Sequence, residues 1–441
     1  MRSDQQQAIN RLAGTSATAF LCAVLCVYPL YIDKFSNLGV TKFTGCFTLF
    51  LLFLLWLVAC TAIGARAPRP RNANAGRDVT LWGVLAFAGT SLISTFTSLS
   101  PTASTWGLGG YYGGLMLVLF TAAGYWAVRS YLDLENLDFV FWVLGITTSI
   151  VAVLYVLNIF NIDLIGAYAD TAVVERAQFF STLGQKDFNG CFFSVALPIV
   201  FYQFLNAKDT RTAVWTGIPA AFGALALAVV DSEALALGIG AAVMVLVCHK
   251  NFTTRHLRRA ALISAAFFGW AAWMHYMRAS VYTQGGTALL AKLGAWQVAL
   301  PCMAASLLLW LVLFVLARKG IAAQAPLYLP GRVITIAVLA VGALAFVLAN
   351  AMPNLPLPES LHNLLVFNDD WGTYRGVAWR AAFGTWADGS LLRKIVGIGP
   401  GMMHTAVAAW AGDAMTARMA TFYAAHNEYL EQLLTTGILG L

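Results

Sequence analysis

The sequence predicts an all-α, polytopic helical membrane protein with about eleven to twelve spans and one long external loop containing short amphipathic helices. Three observations predict it. Hydrophobic residues make up 59% of the 441-residue chain and charged residues only 11%, with a mean hydropathy of +0.72, far too little charge for a soluble protein of this size. The apolar residues fall in blocks of about 20, the length a helix needs to cross about 30 Å of hydrocarbon. The Lys and Arg residues are divided unequally between alternate connecting segments.

Eleven blocks are long enough to span: 13–32, 44–65, 79–98, 111–128, 138–160, 190–206, 213–230, 233–248, 259–277, 295–317 and 332–351. The first lies too deep in the chain, and lacks the small-residue cleavage site, to be a removable signal peptide, so it reads as a signal anchor. Residues 1–351 therefore form a transmembrane bundle, interrupted by a polar external loop at 161–189. Residues 352–425 form the long external loop, and 426–441 begin a twelfth helix near Glu428.

Charge sets the expected orientation. With a cytoplasmic N-terminus, the inner segments hold 16 of the 27 Lys and Arg, including the RAPRPRNANAGR stretch at Arg66–Arg77 and HKNFTTRHLRR at His249–Arg259. The short outer loops hold six: Lys34, Lys42, Arg176, Lys186, Arg278 and Lys292. This is the positive-inside pattern of a multi-pass membrane protein with its N-terminus cytoplasmic and its long loop outward. It accounts for the net charge of +7 with no nucleic-acid partner. The Arg66–Arg77 stretch reads as a cytoplasmic anchor at anionic lipid.

The seven cysteines all lie in or at the edges of spans, without CxxC spacing, and read as small buried apolar residues rather than disulfide or metal ligands. The external loops contain no Asp-x-Asp, which argues against a metal-bound nucleotide-sugar site, and VGIGPG is a turn rather than a phosphate-binding GxGxxG. No metal and no cofactor are expected. Asp369 and Asp370 are adjacent and point apart, which gives glycosidase chemistry little support. Transport is the competing class, with Asp231 or Glu233 as ion-coupling carboxylates; they sit at the end of a tight hairpin, and no paired broken helices suggest inverted repeats.

Candidate chemistry concentrates on the outer side. In the long loop, Arg375, Trp379, Ala382, Phe383 and Trp386 recur at helical spacing, which predicts an amphipathic helix near 374–388 with an arginine on its apolar stripe. Arg380 points elsewhere and is expected in solvent. Arg375 on a docking face calls for an anion, an ion pair with Asp369 or Asp370, or headgroup snorkelling. In the 161–189 loop, Arg176 has Glu175 and Asp170 nearby, and Lys186 has Asp187 beside it, so surface ion pairs are the simplest expectation for both. His426 opens the last hydrophobic segment, where a helix dipole would favour neutral imidazole and Glu428 would oppose it. His404 lacks the following Asn and the helix start.

These stretches resemble the O-antigen ligase and polymerase superfamily of membrane glycosyltransferases. HNEYLEQLLTTGILGL is similar to its His-Asn, Tyr-Leu, Gly-Ile-Leu-Gly-Leu signature; YRGVAWRAAF and VGIGPG to its Arg-x-x-x-Trp helix and Gly-x-Gly turn; and ERAQFFSTLGQKDFNG to its arginine-bearing outer loop. Gln185, Lys186 and Asp187 stand where the family usually has Asn-Pro-Asn, and Glu233 where many members have an arginine. The family continues for at least one helix past Gly-Leu, so the chain is expected to be a fragment or unusually short. The resemblance implies a GT-C-like membrane fold, an undecaprenyl-diphosphate-linked glycan donor, and a glycan, lipid or protein acceptor, in cell-surface polysaccharide biosynthesis. It assigns Arg176 and Arg375 to the diphosphate and His426 to the base. Lys186, Arg380, Asn427 and His404 are secondary candidates.

Overall fold

The computed structural model describes residues 2–63, 78–108, 110–281, 283–284, 290–321, 324–352, 356–416 and 422–441; the basic stretch at 66–77 lies outside them. Each of the eleven apolar blocks falls on a helix. Among the described residues, eight helices are long and apolar enough to cross a membrane: Asp4–Leu30, Phe35–Ala62, Val79–Phe96, Leu134–Ile159, Lys186–Asn206, Thr210–Val229, Trp296–Arg318 and Tyr328–Ala351. The other three blocks form helices that are shorter or less apolar: Leu115–Tyr131, Glu233–Cys248 and Thr254–Ser280. One two-stranded antiparallel pair, Phe179–Phe180 with Gly184–Gln185, is the sheet among the described residues.

The chain divides into two compact units, each drawn from separate stretches of sequence. One unit comprises 1–17, 43–132 and 339–441; the other comprises 18–42 and 133–338.

In the second unit, the helices Leu137–Ile159, Lys186–Asn206, Thr210–Val229 and Thr254–Ser280 enclose the core. Small residues let them approach: Ala224, Ala226 and Ala228 are fully buried, and a Cβ on Gly145 would lie 3.1 Å from the Pro219 side chain. Lipid is as apolar as leucine, so close backbone approach and dispersion, rather than exclusion of water, hold such helices together.

In the first unit, the helix Trp371–Ala387 packs on Met403–Thr416 and Glu428–Thr435 through Val377, Ala378, Ala381, Met403, Val407 and Leu434. The glycine turn docks directly on the C-terminal helix. Ile398 N–H donates to Leu434 O at 3.1 Å and Gly399 N–H to Thr435 O at 2.9 Å. A Cβ on Gly397 would meet Thr435 O at 2.2 Å, and one on Gly437 would meet Ile395 O at 2.3 Å, so both positions require glycine. The buried Ser94 Oγ donates to Thr435 O at 2.5 Å, tying the helix Val79–Phe96 to the same junction.

Residues 426–441 differ from a continuous helical start. The helix Glu428–Thr435 is eight residues long, and Gly437, at φ 70°, breaks it before Gly437–Gly440. Carbonyls freed by that break are the ones that receive the glycine turn.

Candidate functional site

The arginine-bearing loop is built around two buried asparagines. Asn189 accepts from Ser181 Oγ at 2.6 Å and donates to Phe180 O, Gly184 O and Gln185 O, so one amide closes the 179–185 hairpin. Asn158 Oδ1 receives Ser181 N–H at 2.7 Å. Just before the hairpin, the 3₁₀ turn Val173–Gln178 carries Arg176, whose guanidinium lies 5.3 Å from the centre of the Tyr168 ring. Burial pushes the Tyr168 phenol up, so it stays protonated and donates to Phe179 O at 2.5 Å.

Neither expected ion pair forms. Asp170 pairs with Lys34 at 2.7 Å, and the Arg176 Nε is buried with no hydrogen-bond partner among the described residues. Lys186 pairs with Asp231 at 3.3 Å rather than with its neighbour Asp187, which accepts from Ser232 Oγ at 3.0 Å. The reason is helical direction: Lys186 and Asp187 open the helix Lys186–Asn206, where adjacent side chains point about 100° apart.

A cavity of about 170 Å³ opens beside this loop, lined by Gln178, Lys186, Asp231, Arg278 and Gln284 over Tyr155 and Phe180. Arg278, in the last turn of Thr254–Ser280, also has a buried Nε without a hydrogen-bond partner among the described residues. The sequence reading counted Arg278 among the outer charges but gave it no role. Its shared side with Lys186 is a signal; the separation of 92 in the sequence hides the proximity. Arg278, with its unmet donor, and Lys186 line the cavity against one aspartate, a surrounding suited to an anion, while the Arg176 guanidinium stands outside the lining, over the Tyr168 ring.

In the first unit, the His-Asn pair has a different geometry from the one expected. Asn427 is the N-cap of Glu428–Thr435, its Oδ1 accepting from Tyr429 N–H at 3.1 Å and Leu430 N–H at 3.3 Å. That oxygen serves as the helix cap. His426 precedes the cap and so stands outside the first turn, where the helix dipole was expected to act. It is exposed, left-handed at φ 50°, and its ring meets Phe422 edge-on at 6.2 Å. A non-glycine residue at positive φ is a sparsely populated state, held here by its neighbours.

Those neighbours pin the residue before it. Trp379 Nε1 donates to Ala425 O at 2.9 Å, and Ala425 N–H donates to Glu431 Oε2 at 2.7 Å. Glu431 lies in a helix too short to span, and burial, with Glu428 adding to it and the Ala425 N–H opposing, raises its carboxyl to about 7. Glu431 is not among the candidates read from the sequence, and Trp379 appears there only as part of the helical stripe and the Arg-x-x-x-Trp pattern; their hydrogen bonds to Ala425 arise from the fold.

The amphipathic helix forms as Trp371–Ala387, but turned. Its buried face is Val377, Ala378, Ala381 and Ala382, roughly 110° around from the expected stripe at about 100° per residue. The tight contact goes to the alanines, whereas Phe383 is 52% exposed and Trp379 joins Phe367 and Trp371 in a flanking aromatic cluster. Arg375 is half-buried one turn before Trp379, its stem folded over Gly372. Arg380 is not merely solvated; it pairs with Asp369.

His404 is better built than its sequence context suggested. Its ring stacks on Tyr423 at 4.5 Å, Tyr423 stacks on Tyr111 at 4.6 Å, and Nδ1 lies 3.0 Å from Phe422 O. A carbonyl can only accept, so this contact places a proton on Nδ1 and leaves Nε2 as the ring nitrogen not engaged by that carbonyl.

Of the candidates, Arg176 and Lys186 fall in one unit, and Arg375, Arg380, His404, His426 and Asn427 in the other. The fold defines a multi-pass α-helical membrane protein. No family model matches the chain, and no curated protein or solved structure does so either.

Proposed function

We propose that this protein is a membrane glycosyltransferase that transfers or polymerises a glycan from an undecaprenyl-diphosphate donor onto an acceptor hydroxyl, at the outer face of the bacterial cytoplasmic membrane. The observation that carries the reading is the buried, unmet guanidinium Nε of Arg278 in a small cavity that Lys186 also lines, with a second unmet guanidinium Nε, that of Arg176, on the residue just before the lining residue Ala177. Unmet buried donors cost free energy, and a phosphate would satisfy them with charge-assisted, bidentate bonds.

The acceptor oxygen forms a bond to the anomeric carbon, the bond from that carbon to phosphate oxygen breaks, and the lipid diphosphate leaves with the electron pair. Arg176 and Arg375 are assigned to phosphate contacts, with Lys186 and Arg278 supporting the first. His426 takes the acceptor proton. A diphosphate is a good leaving group once neutralised, so the reaction needs cations and a base more than a general acid. Asp231 is already paired with Lys186, which disfavours it as a free ion-coupling carboxylate.

The test is glycan transfer from a purified undecaprenyl-diphosphate oligosaccharide by the protein in nanodiscs. Release of lipid diphosphate coupled to a new glycosidic bond is the expected result. Movement of the donor or a solute across the bilayer without bond formation would replace this reading with transport.

A further inference from the structure

Trp410 stands between two cavities of the first unit, of about 460 Å³ and about 510 Å³, and lines both. It is 48% exposed yet held firmly: its Nε1 donates to Asp388 Oδ2 at 2.9 Å, and its six-membered ring covers Gly384, where a Cβ would approach it to 2.2 Å. Any other residue at 384 would lift the indole from the helix. The larger-walled first cavity adds a second fixed indole, Trp386, whose Nε1 donates to Lys394 O at 3.2 Å.

Each cavity carries one acid and one guanidinium. The first has Asp388 and Arg393, and the second has Asp413 and Arg380, whose guanidinium already pairs with Asp369 on one side and has further N–H groups to donate. Among the described residues, Asp388, Arg393 and Asp413 make no ion pair, although each cavity holds an opposite charge. The sequence reading gave none of Asp388, Arg393, Trp410 or Asp413 a role.

This lining selects among ligand chemistries. A phosphate would meet a carboxylate in either cavity, and a lipid tail would bury unpaired charges at high cost. A pyranose fits both halves of the wall. Its C–H faces lie against indole rings, its adjacent hydroxyls donate to a carboxylate, and they accept from a guanidinium fork. Both cavities fall in the usual range for small-ligand sites of about 300–1,000 Å³. We propose that the Trp410 ridge, with Asp388 and Arg393 on one side and Asp413 and Arg380 on the other, binds two or more consecutive neutral sugar residues of a glycan. The proposal rests on the glycosyl-transfer reading for its place in the reaction and names the saccharide-holding subsite of that enzyme.

The experiment measures binding of a panel of neutral trisaccharides of glucose, galactose, mannose and N-acetylglucosamine to the full chain in nanodiscs, by quenching of tryptophan fluorescence and by calorimetry. Saturable binding of at least one is expected, weakened about tenfold or more by Trp410→Ala, a loss of about 1.4 kcal/mol. Trp410→Phe should restore most of it, and the exposed Arg393→Gln, which removes no packing, should weaken it severalfold. Inorganic diphosphate should not compete. No saturable binding by any trisaccharide, or equal binding by wild type, Trp410→Ala and Arg393→Gln, would overturn the proposal. So would a Trp410→Ala variant that binds sugar normally but is lost from nanodiscs, since Trp410 would then be an interfacial anchor. His426→Ala is expected to bind the trisaccharides like wild type whatever its transfer rate, so failure of the transfer reading and failure of the sugar site are separately visible.

Discussion

The indole N–H of Trp379 donates to the carbonyl oxygen of Ala425 at 2.9 Å, joining a helix of the long C-terminal segment to the peptide that immediately precedes His426. The N–H of the same residue, Ala425, in the peptide one step earlier, is held by Glu431, so both backbone polar atoms of Ala425 are fixed by side chains. A left-handed residue held in this way presents its ring in one orientation. This gives the Arg-x-x-x-Trp pattern a physical role independent of any phosphate contact by Arg375.

Trp379→Phe keeps most of the aromatic packing and removes the donor. We expect a transfer rate roughly tenfold lower with donor binding unchanged, because an unmet buried carbonyl costs about 1–3 kcal/mol and the turn relaxes to avoid it. Single-turnover transfer and donor binding, measured on matched preparations, check this. An unaltered rate would remove Trp379 as a positioning residue.

Glu431 should impose a pH dependence on stability. Its carboxyl is raised in the fold from 4.5 to about 7, so the folded protein binds the proton more tightly than the unfolded chain. Stability is therefore expected to fall as pH rises from about 4.5 to about 7 and to level off above that. Glu431→Gln keeps an acceptor for Ala425 N–H and should abolish the decline. Thermal midpoints of both proteins at pH 5 and pH 8 in one detergent decide it; parallel slopes would refute the assignment.

His426 and His404 compete for the base role. His426→Ala is expected to lose about 10²–10⁴ in transfer rate, the usual range for general-base catalysis, with donor binding intact. His404→Gln should cost far less if its ring only buttresses Tyr423. The reverse pattern would move the base to His404, whose Nδ1 is already oriented by Phe422 O.

Arg176→Lys and Arg375→Lys each retain one positive charge and lose the planar fork. Weaker donor binding together with slower transfer is expected for both. Normal kinetics in Arg375→Lys would return that side chain to an interfacial role. Transfer is also expected to survive EDTA, because the assigned cations are arginines. Activity lost in chelator and restored by Mg²⁺ would reveal a metal site.

Orientation is testable at Glu359, exposed in the first turn of Glu359–Leu365. In a cysteine-free background, Glu359→Cys should react with an impermeant thiol reagent in intact cells. Labelling only after lysis would reverse the proposed sidedness.

The helices were legible because span length and hydropathy are local properties, and each of the eleven blocks became a helix. Partner choice was not local. Asp170, six residues from Arg176, is taken by Lys34, which is 136 residues away, and Lys186 bypasses its neighbour for Asp231. The amphipathic face of Trp371–Ala387 was misjudged because a periodicity argument favours the largest apolar side chains, whereas close packing chose alanines. The candidate motif was visible in His426 and Asn427, but the capping that occupies Asn427 and the pinning by Trp379 and Glu431 depend on a fold that brings distant segments together.

The hydrogen bond from Ser94 to Thr435 spans 341 residues. At about 5–20 residues per second, roughly 20–70 s of synthesis separate the appearance of donor and acceptor. Through that interval the Ser94 hydroxyl, fully buried in the finished protein, must wait in its helix without its final acceptor. The junction that orders the glycine turn and the histidine turn therefore cannot close until Thr435 has been made, however early the helix Val79–Phe96 is complete.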